Sequence, residues 1–243
     1  PIGCIAGVRY NSSYGFIGLF LVVKQHRGNG YGIQLWQKAL QHLEDVPCIG
    51  LEAAIDRVND YSSWGFKPSS HTIRWQLLGS DSYLRTKSFS SSDLKGLKIV
   101  KGKSIPKTVV QAYDALRETS PRPHFLSDWL NHPAGNVIAL IDIKGSCHGF
   151  GRIRPCLMKE GEGWRIGPLL ADNDFLAEII LNKLVQKHEG TVLIDVPGLN
   201  PAASNLLERL GFQKHSKTLR MYKGDQPPIL MNEVYELACL ELG

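Results

Sequence analysis

The residues with the clearest chemical potential stand in a short loop that contains three glycines at alternate positions. Gly28, Gly30 and Gly32 follow an apolar segment, residues 16–23, and Arg27 lies directly before them. Glycine permits tight turns and a close approach of the backbone, so that main-chain amides can surround an anion. The arginine adds a permanent positive charge. This combination predicts a cradle for a phosphate or diphosphate group.

The segments around this loop predict a strand before it and a helix after it. Apolar residues recur at helical spacing over residues 33–43, which indicates that the loop opens a helix. The positive end of that helix would face the same anion. His26 is a further candidate ligand, although such a histidine more often points into solvent. The competing interpretation of the whole loop is a tight structural turn.

The spacing of the glycines excludes two common phosphate loops. A Walker loop requires a lysine and a hydroxyl residue after its last glycine, and neither follows Gly32. A dinucleotide fingerprint has the order GxGxxG, which glycines at 28, 30 and 32 do not match. The pattern R-x-x-G-x-G, from Arg27 to Gly32, resembles instead the acetyl-CoA loop of the GCN5-related N-acetyltransferases (GNATs).

A second motif downstream strengthens this resemblance. Tyr61, Gly65 and Phe66 form the pattern Y-x-x-x-G-F, which matches the second signature of the family in the expected order. The resemblance implies that Tyr61 lies near the cofactor sulfur and acts as a general acid that protonates the departing thiolate. The alternative for Tyr61 is an aromatic side chain that packs on the sheet.

The resemblance also implies that acetyl-CoA is the cofactor and indicates which residues bind it. Backbone groups at the splayed end of the strand would pair with the pantetheine arm, and the loop would hold the diphosphate. Ordinary hydrogen bonding within the sheet is the alternative for the strand residues. The predicted cofactor-binding residues are Phe20, Leu21, Val22, Arg27, Gly28, Asn29, Gly30, Tyr31 and Gly32.

Glu52 is the candidate general base. It lies in a second predicted buried strand, residues 49–55, and its carboxylate could take the proton of an amine directly or through water. The competing interpretation is a solvent-facing or ion-paired glutamate. The chain departs from the family pattern nearby, because Ala54 stands where the family has an asparagine that contacts pantetheine.

Composition and charge narrow the remaining function classes. The net charge of +5 arises from 28 basic and 23 acidic residues that are spread along the chain. The one basic segment, residues 94–107, is better explained as a solvated linker and strand edge than as a nucleic-acid site. The five cysteines are isolated, which predicts neither a disulfide framework nor a metal site. No apolar run is long enough to span a bilayer and no leader is present, so we expect a soluble cytoplasmic protein without a membrane partner.

The second half of the chain repeats the element order of the first, with Gly211-Phe212 matching Gly65-Phe66. The expected fold is α/β: two tandem GNAT-like domains, each with a mixed, mostly antiparallel central sheet flanked by helices. The first domain is expected to end in a hairpin and to be N-terminally incomplete, because the second carries an upstream segment that the first lacks. The expected limits are residues 1–80 for the first domain, 81–95 for a linker and 96–243 for the second domain.

The second half lacks the features that predict cofactor binding in the first. It keeps one glycine, Gly167, and places Asp172 and Asp174 where a diphosphate would lie, so that like charges would repel. Leu207 stands at the position of the tyrosine. The family asparagine is retained as Asn200, yet the simplest interpretation is a degenerate domain that serves as a scaffold or, through Asp195, as a wall of the acceptor cleft.

The sequence therefore predicts an N-acetyltransferase that moves the acetyl group of acetyl-CoA to a primary amine by direct attack in a ternary complex. The acceptor is left open between a small metabolite, an antibiotic, a protein N-terminus and a lysine. One alternative is a non-catalytic acyl-CoA-binding or sensor protein with the same fold, favoured by the missing asparagine. A further alternative, a scaffold with both halves inactive, conflicts with the intact loop.

Overall fold

The computed structural model describes residues 1–79, 83–118, 120–158, 161–226, 228 and 230–243. The strands within these ranges are β1 (Gly3–Arg9), β2 (Tyr14–Val22), β3 (Cys48–Ala54), β4 (Lys67–Leu77), β5 (Lys98–Lys101), β6 (Asn136–Ile141), β7 (Cys147–Met158), β8 (Gly161–Ala171), β9 (Val192–Pro197), β10 (Gln213–Lys223) and β11 (Val234–Glu236). The helices are α1 (Tyr31–His42), α2 (Val58–Ser63), α3 (Tyr83–Thr86), α4 (Lys107–Ala115), α5 (Pro123–Asn131), α6 (Asp174–Val185) and α7 (Pro201–Arg209).

The chain divides into two compact units whose segments alternate along the sequence. Unit 1 consists of Pro1–His71, Lys217–Pro228 and Cys239–Gly243, and unit 2 consists of Thr72–Ser216 and Ile229–Ala238. This division differs from the sequential one that we expected, since two late segments belong to unit 1. The expected boundary at residues 80 and 81 itself lies outside the described residues.

Unit 1 is built on a mixed sheet. β1 and β2 are antiparallel, β2 and β3 are parallel, and β10 is antiparallel to β3. Helix α1 packs its apolar side on this sheet, where Trp36 and Leu43 join a core that includes Ile17, Leu51 and Phe66. The burial of this apolar surface is what stabilises the unit.

Unit 2 repeats the same arrangement with additional strands. β5, β6, β7 and β8 follow one another in antiparallel pairs, β8 and β9 are parallel, and β4 is antiparallel to β9. The parallel pair β8 and β9 therefore corresponds to β2 and β3, and α6 corresponds to α1. Helix α6 is buried on nearly all sides, with nine of its twelve residues buried, and Glu178 and Asn182 are among these nine.

Each unit takes one strand from the other repeat. The last part of β10, residues 218–223, pairs with residues 49–54 of β3, and the last part of β4, residues 72–77, pairs with residues 192–197 of β9. The hairpin expected at the end of the first repeat is therefore wrong. β4 is one extended strand, because its apolar second part adds to β9 and does not fold back.

An arginine and a carboxylate form an ion pair at the same place in both exchanged contacts. Arg220 of β10 lies opposite Glu52 of β3, and its Nε donates to Glu52 Oε1 at 2.7 Å. Arg74 of β4 lies opposite Asp195 of β9, and its Nε donates to Asp195 Oδ1 at 2.7 Å. Because buried charges are tolerated only when they are paired, these contacts favour one register for each exchanged strand.

Among the described residues, no helix combines the length and the apolar character that crossing a bilayer requires.

Candidate functional site

The end of β2 separates from β3 and exposes its backbone. The two strands pair only from residues 14–17 to residues 48–51. Leu21 of β2 lies opposite Cys4, but Gly18 lies opposite Ala6, so that β2 contains one extra residue in this stretch. Leu19 sits in this bulge with a φ of 53°, a conformation that a leucine rarely adopts. The bulge and the separation lie beside an open cleft that Phe20, Leu21 and Val22 line.

The loop that follows β2 has the geometry of an amide cradle. Gly28 and Gly30 have φ angles of 81° and 79°, which only glycine adopts readily. Gly30 is the residue before the first turn of α1, and no side chain caps that end of the helix. The first amides of α1 therefore point out of the helix without a side-chain partner, next to the positive end of its dipole.

The arginine of the motif is held against the strand. Arg27 donates from Nε to the carbonyl oxygen of Val22 at 2.9 Å, which leaves the two terminal nitrogens of the guanidinium directed away from this bond. Asn29 donates from its side-chain amide to the carbonyl oxygen of His26 at 3.3 Å and thereby stabilises the turn. The loop thus presents a positive charge and free backbone donors on one side.

A cavity of about 480 Å³ joins the strand end, the loop and α2. Six of the nine predicted cofactor-binding residues line it, whereas Asn29, Gly30 and Tyr31 lie in the loop and the first turn of α1 outside its described lining. A larger cavity of about 590 Å³ lies near the end of α1, around Gln41 and Lys223, and touches none of the motif residues. We therefore place the candidate site in the smaller cavity. Its predicted members are Phe20, Leu21, Val22, Arg27, Gly28 and Gly32.

Tyr61 lies on the wall of this cavity, on helix α2. Its ring packs against Trp36 and Trp64 at centroid distances of 5.6 and 5.8 Å, which fixes its position. Burial raises the pKa of Tyr61, and the charge of Asp60 raises it further. The phenol is therefore protonated at neutral pH, which is the state that a proton donor requires. The structure is thus compatible with both interpretations of Tyr61, since the ring packs in the core and its edge reaches the cavity.

Glu52 lies in an adjoining cavity of about 330 Å³ that also contains Tyr61 and Leu21. One carboxylate oxygen accepts from Arg220, and the other accepts from the hydroxyl of Thr218 at 2.7 Å. Burial has the largest single effect on the pKa of Arg220 and lowers it, but the Glu52 carboxylate, together with Tyr222 and Tyr14, raises this pKa above its ordinary value. Glu52 is therefore an ion-paired carboxylate that lines the cavity.

The corresponding turn of unit 2 is closed. Only Asp172 and Asn173 separate β8 from α6, and the Asn173 side chain accepts from the amide of Leu176, which caps the helix. Asp172 accepts from the hydroxyl of Tyr113 at 2.6 Å and lies 2.7 Å from Nδ1 of His148. A carboxylate and a side-chain cap thus stand where unit 1 has glycine and free amides.

The cleft between β8 and β9 is also filled, because strand β11 lies in it. Val234 and Glu236 of β11 pair with β8, and the amide of Leu237 donates to the carbonyl oxygen of Asp195 on β9. Asn200, the asparagine that the family resemblance links to pantetheine, donates to the carbonyl oxygens of Asn232 at 3.2 Å and Val234 at 3.0 Å. The chain itself therefore occupies the space that is open in unit 1.

Several residues that line the unit 1 cavities are absent from the sequence prediction, among them Arg57, Leu240 and Glu241. Arg57 lines both cavities and pairs with Asp60, and its position four residues before Tyr61 on a predicted helix could have placed it there. Leu240 and Glu241 line the 330 Å³ cavity but are distant in sequence from β2 and β3, so that no local pattern indicates them. Within the described part of the chain, no group of three or more histidine, cysteine or acidic side chains is arranged to hold a metal ion.

Comparisons with known families give matches in both halves. A model described as "Acetyltransferase (GNAT) domain" matches residues 110–236, and a model described as "Acetyltransferase (GNAT) family" matches residues 1–66. A curated relative named holothin acyltransferase, from Pseudoalteromonas sp. (strain SANK 73390), is 27% identical over 245 residues, which cover 100% of this chain and 78% of the relative.

Solved structures show the same fold. A putative acetyltransferase from Pyrococcus horikoshii superposes with a TM-score of 0.80 at 22% identity, covering 100% of this chain and 76% of that one. A tandem GNAT protein from the clavulanic acid biosynthesis pathway superposes with a TM-score of 0.61 at 12% identity, covering 87% of this chain and 75% of that one. The two-copy architecture is thus found in other proteins.

Proposed function

The chain belongs to the GNAT family as a tandem member and is an acyltransferase, and from this premise we propose that unit 1 is an acetyl-CoA-dependent N-acetyltransferase. Its acceptor is a primary amine that attacks the thioester directly in a ternary complex. Unit 2 binds no acyl-CoA and serves as a scaffold.

The observation that carries this proposal is the contrast between the two strand clefts. In unit 1 the cleft beside β2 is open and ends at glycines with positive φ and an uncapped helix. In unit 2 the equivalent cleft contains β11, and the equivalent helix is capped by Asn173. A long ligand with an anionic diphosphate fits the first arrangement, because amides and Arg27 supply donors where its charge would lie.

The residues of unit 1 supply the remaining steps of acyl transfer. Acetyl-CoA, when bound, provides the acetyl group as a thioester. Backbone amides at the end of β2 polarise the carbonyl while the amine forms the new C–N bond and the C–S bond breaks. Glu52 takes the proton of the amine, directly or through water, and Tyr61 donates a proton to the departing thiolate. Both side chains line the 330 Å³ cavity, which adjoins the end of β2.

A thiol-release assay with acetyl-CoA and a panel of primary amines tests this function. The panel includes 2-phenylethylamine, a lysine peptide and holothin, because holothin appears in the name of a relative. We expect turnover with at least one amine. Acetyl-CoA binding without turnover of any amine would support the acyl-CoA-binding alternative.

Two substitutions at Gly30 make the test specific for the loop. Gly30→Glu and Gly30→Gln impose the same backbone strain and nearly the same bulk, and neither side chain meets a protein atom at its Cβ. They differ by one negative charge. At about 4 Å, repulsion between unit charges is worth from about 1 kcal/mol in water to about 4 kcal/mol near a protein surface. Because about 1.4 kcal/mol corresponds to a tenfold change, acetyl-CoA should bind at least about fivefold more weakly to Gly30→Glu than to Gly30→Gln.

A further inference from the structure

The second cavity of unit 1 has a wall that comes from the far end of the chain. Cys239–Gly243 belongs to unit 1, and two of its residues, Leu240 and Glu241, line the 330 Å³ cavity together with Glu52 and Tyr61. This cavity shares Phe20, Leu21 and Tyr61 with the 480 Å³ cavity that we assign to the cofactor. It is therefore the space next to the reacting groups.

Specific contacts hold the 239–243 segment against Gly18 of β2 and against Tyr10. A Cβ atom on Gly18 would lie 1.9 Å from the carbonyl oxygen of Glu241, so that only glycine allows this approach of the two backbones. The hydroxyl of Tyr10 donates to the carbonyl oxygen of Leu242 at 2.5 Å. The amide of Gly243 donates to the carbonyl oxygen of Cys239 at 3.1 Å and closes a turn. These contacts hold Leu240 and Glu241 against the cavity.

The lining of this cavity combines aliphatic side chains with acidic ones. Two glutamates, Glu52 and Glu241, lie among aliphatic residues, and Arg57 is the basic residue among the lining side chains. The volume of about 330 Å³ is at the small end of the usual range of about 300–1,000 Å³ for ligand pockets. The aliphatic lining residues are Ile17, Leu19, Leu21, Leu51, Ala54 and Leu240.

We propose that the 239–243 segment forms the acceptor pocket and that Glu241 binds the acceptor as a protonated amine with a small apolar body. This inference rests on the proposed function, since it assigns the acceptor side of the same site. Leu240 contacts the apolar body of the acceptor, and Glu241 provides the opposite charge that holds the ammonium beside Glu52. The segment thereby determines which amines are accepted.

Binding of 2-phenylethylamine to the full chain, measured by saturation-transfer NMR, tests this proposal without requiring turnover. We expect the wild-type protein to bind it and to bind 2-phenylethanol, which lacks the charge, at least fivefold more weakly. Glu241→Gln should weaken binding of the amine at least fivefold and leave binding of the alcohol unchanged. Glu44→Gln, an exposed glutamate after α1, is the matched control and should have no effect.

A second variant tests the contact between the 239–243 segment and β2. Gly18→Ala should weaken amine binding because its Cβ displaces the backbone of Glu241. Gly7→Ala is the matched control, since its Cβ would make ordinary contacts of 3.4 to 3.5 Å with Ala39.

Acetyl-CoA affinity, measured by calorimetry, should remain within twofold of wild type in Glu241→Gln.

The outcomes separate this inference from the proposed function. Unchanged amine binding in both Glu241→Gln and Gly18→Ala would overturn the inference, even if the wild-type protein acetylates amines. Failure of the wild-type protein to bind 2-phenylethylamine would also overturn it. Amine binding that depends on Glu241, together with an absence of turnover, would support the pocket and contradict the proposed catalysis.

Discussion

Loss of one partner of the ion pair between Glu52 and Arg220 should strongly destabilise unit 1. Their side chains are 2% and 5% exposed, and Arg220 comes from the exchanged strand β10. Replacement of Arg220 by methionine leaves the Glu52 carboxylate buried without the guanidinium that balances its charge. Loss of one partner of a buried pair costs about 3–5 kcal/mol, so that Arg220→Met should lower the free energy of unfolding by that amount.

Urea unfolding measures this loss, and hydrogen exchange with mass spectrometry assigns it to a unit. Peptides from β3 and β10 should exchange faster in Arg220→Met, whereas peptides from β8 and β9 should change little. The double variant Glu52→Leu/Arg220→Met should recover most of the stability, because it leaves no unpaired charge. Arg9→Met breaks the exposed pair with Asp45 and is the control that should change stability little. An exposed ion pair contributes less than about 1 kcal/mol. A decrease in the free energy of unfolding of only this size in Arg220→Met would refute this reasoning.

Three further predictions concern single side chains. Tyr61→Phe should lower kcat by about 10²-fold or more and leave the affinity for acetyl-CoA unchanged. Because burial raises the pKa of Tyr61, the variant should also lose an alkaline limb of the pH–rate profile that lies above the ordinary tyrosine pKa of about 10. An unchanged rate would exclude Tyr61 as the acid. Glu236 is fully buried, and its burial and, to a lesser degree, the charge of Asp195 raise its pKa. Its neutral form therefore contributes stability at low pH that is lost as the pH rises. Glu236→Gln should raise the free energy of unfolding relative to wild type more at pH 8 than at pH 4, and an equal difference at both pH values would contradict this. Asn200→Ala should cost about 2 kcal/mol or more in urea unfolding, because it removes a helix cap and two bonds to the segment of β11, whereas the exposed Asn205→Ala should cost little.

The fold was largely predictable because its signals are local. The tandem GNAT architecture, with mixed sheets and flanking helices, is confirmed by the family matches and the solved structures. Motif order identified it, since Arg27 to Gly32 and Tyr61 to Phe66 each lie within one turn and its neighbouring element. The helix predicted from the apolar spacing over residues 33–43 is α1, which begins at Tyr31, so that Gly32 of the motif lies in its first turn.

The exchange of strands and the course of the last residues were not predictable from local patterns. β4 and β10 carry the same alternation of apolar residues whether they pair within their own repeat or with the other one, so that only long-range pairing decides. β11 has three residues, too few for a periodic signal, and its place between β8 and β9 depends on contacts such as those of Asn200. The glycine loop of the candidate site was therefore visible in the sequence, whereas the place of Leu240 and Glu241 beside it was not.

The central claim is that each chain has one acyl-CoA site, which lies in unit 1. Calorimetric titration of the full chain with acetyl-CoA tests it most directly, with Gly30→Glu titrated under the same conditions. One site per chain in the wild-type protein, lost in Gly30→Glu, is the result that we predict. Two sites per chain, or a site that persists with unchanged affinity in Gly30→Glu, would contradict the claim, because either result requires a site other than the glycine loop.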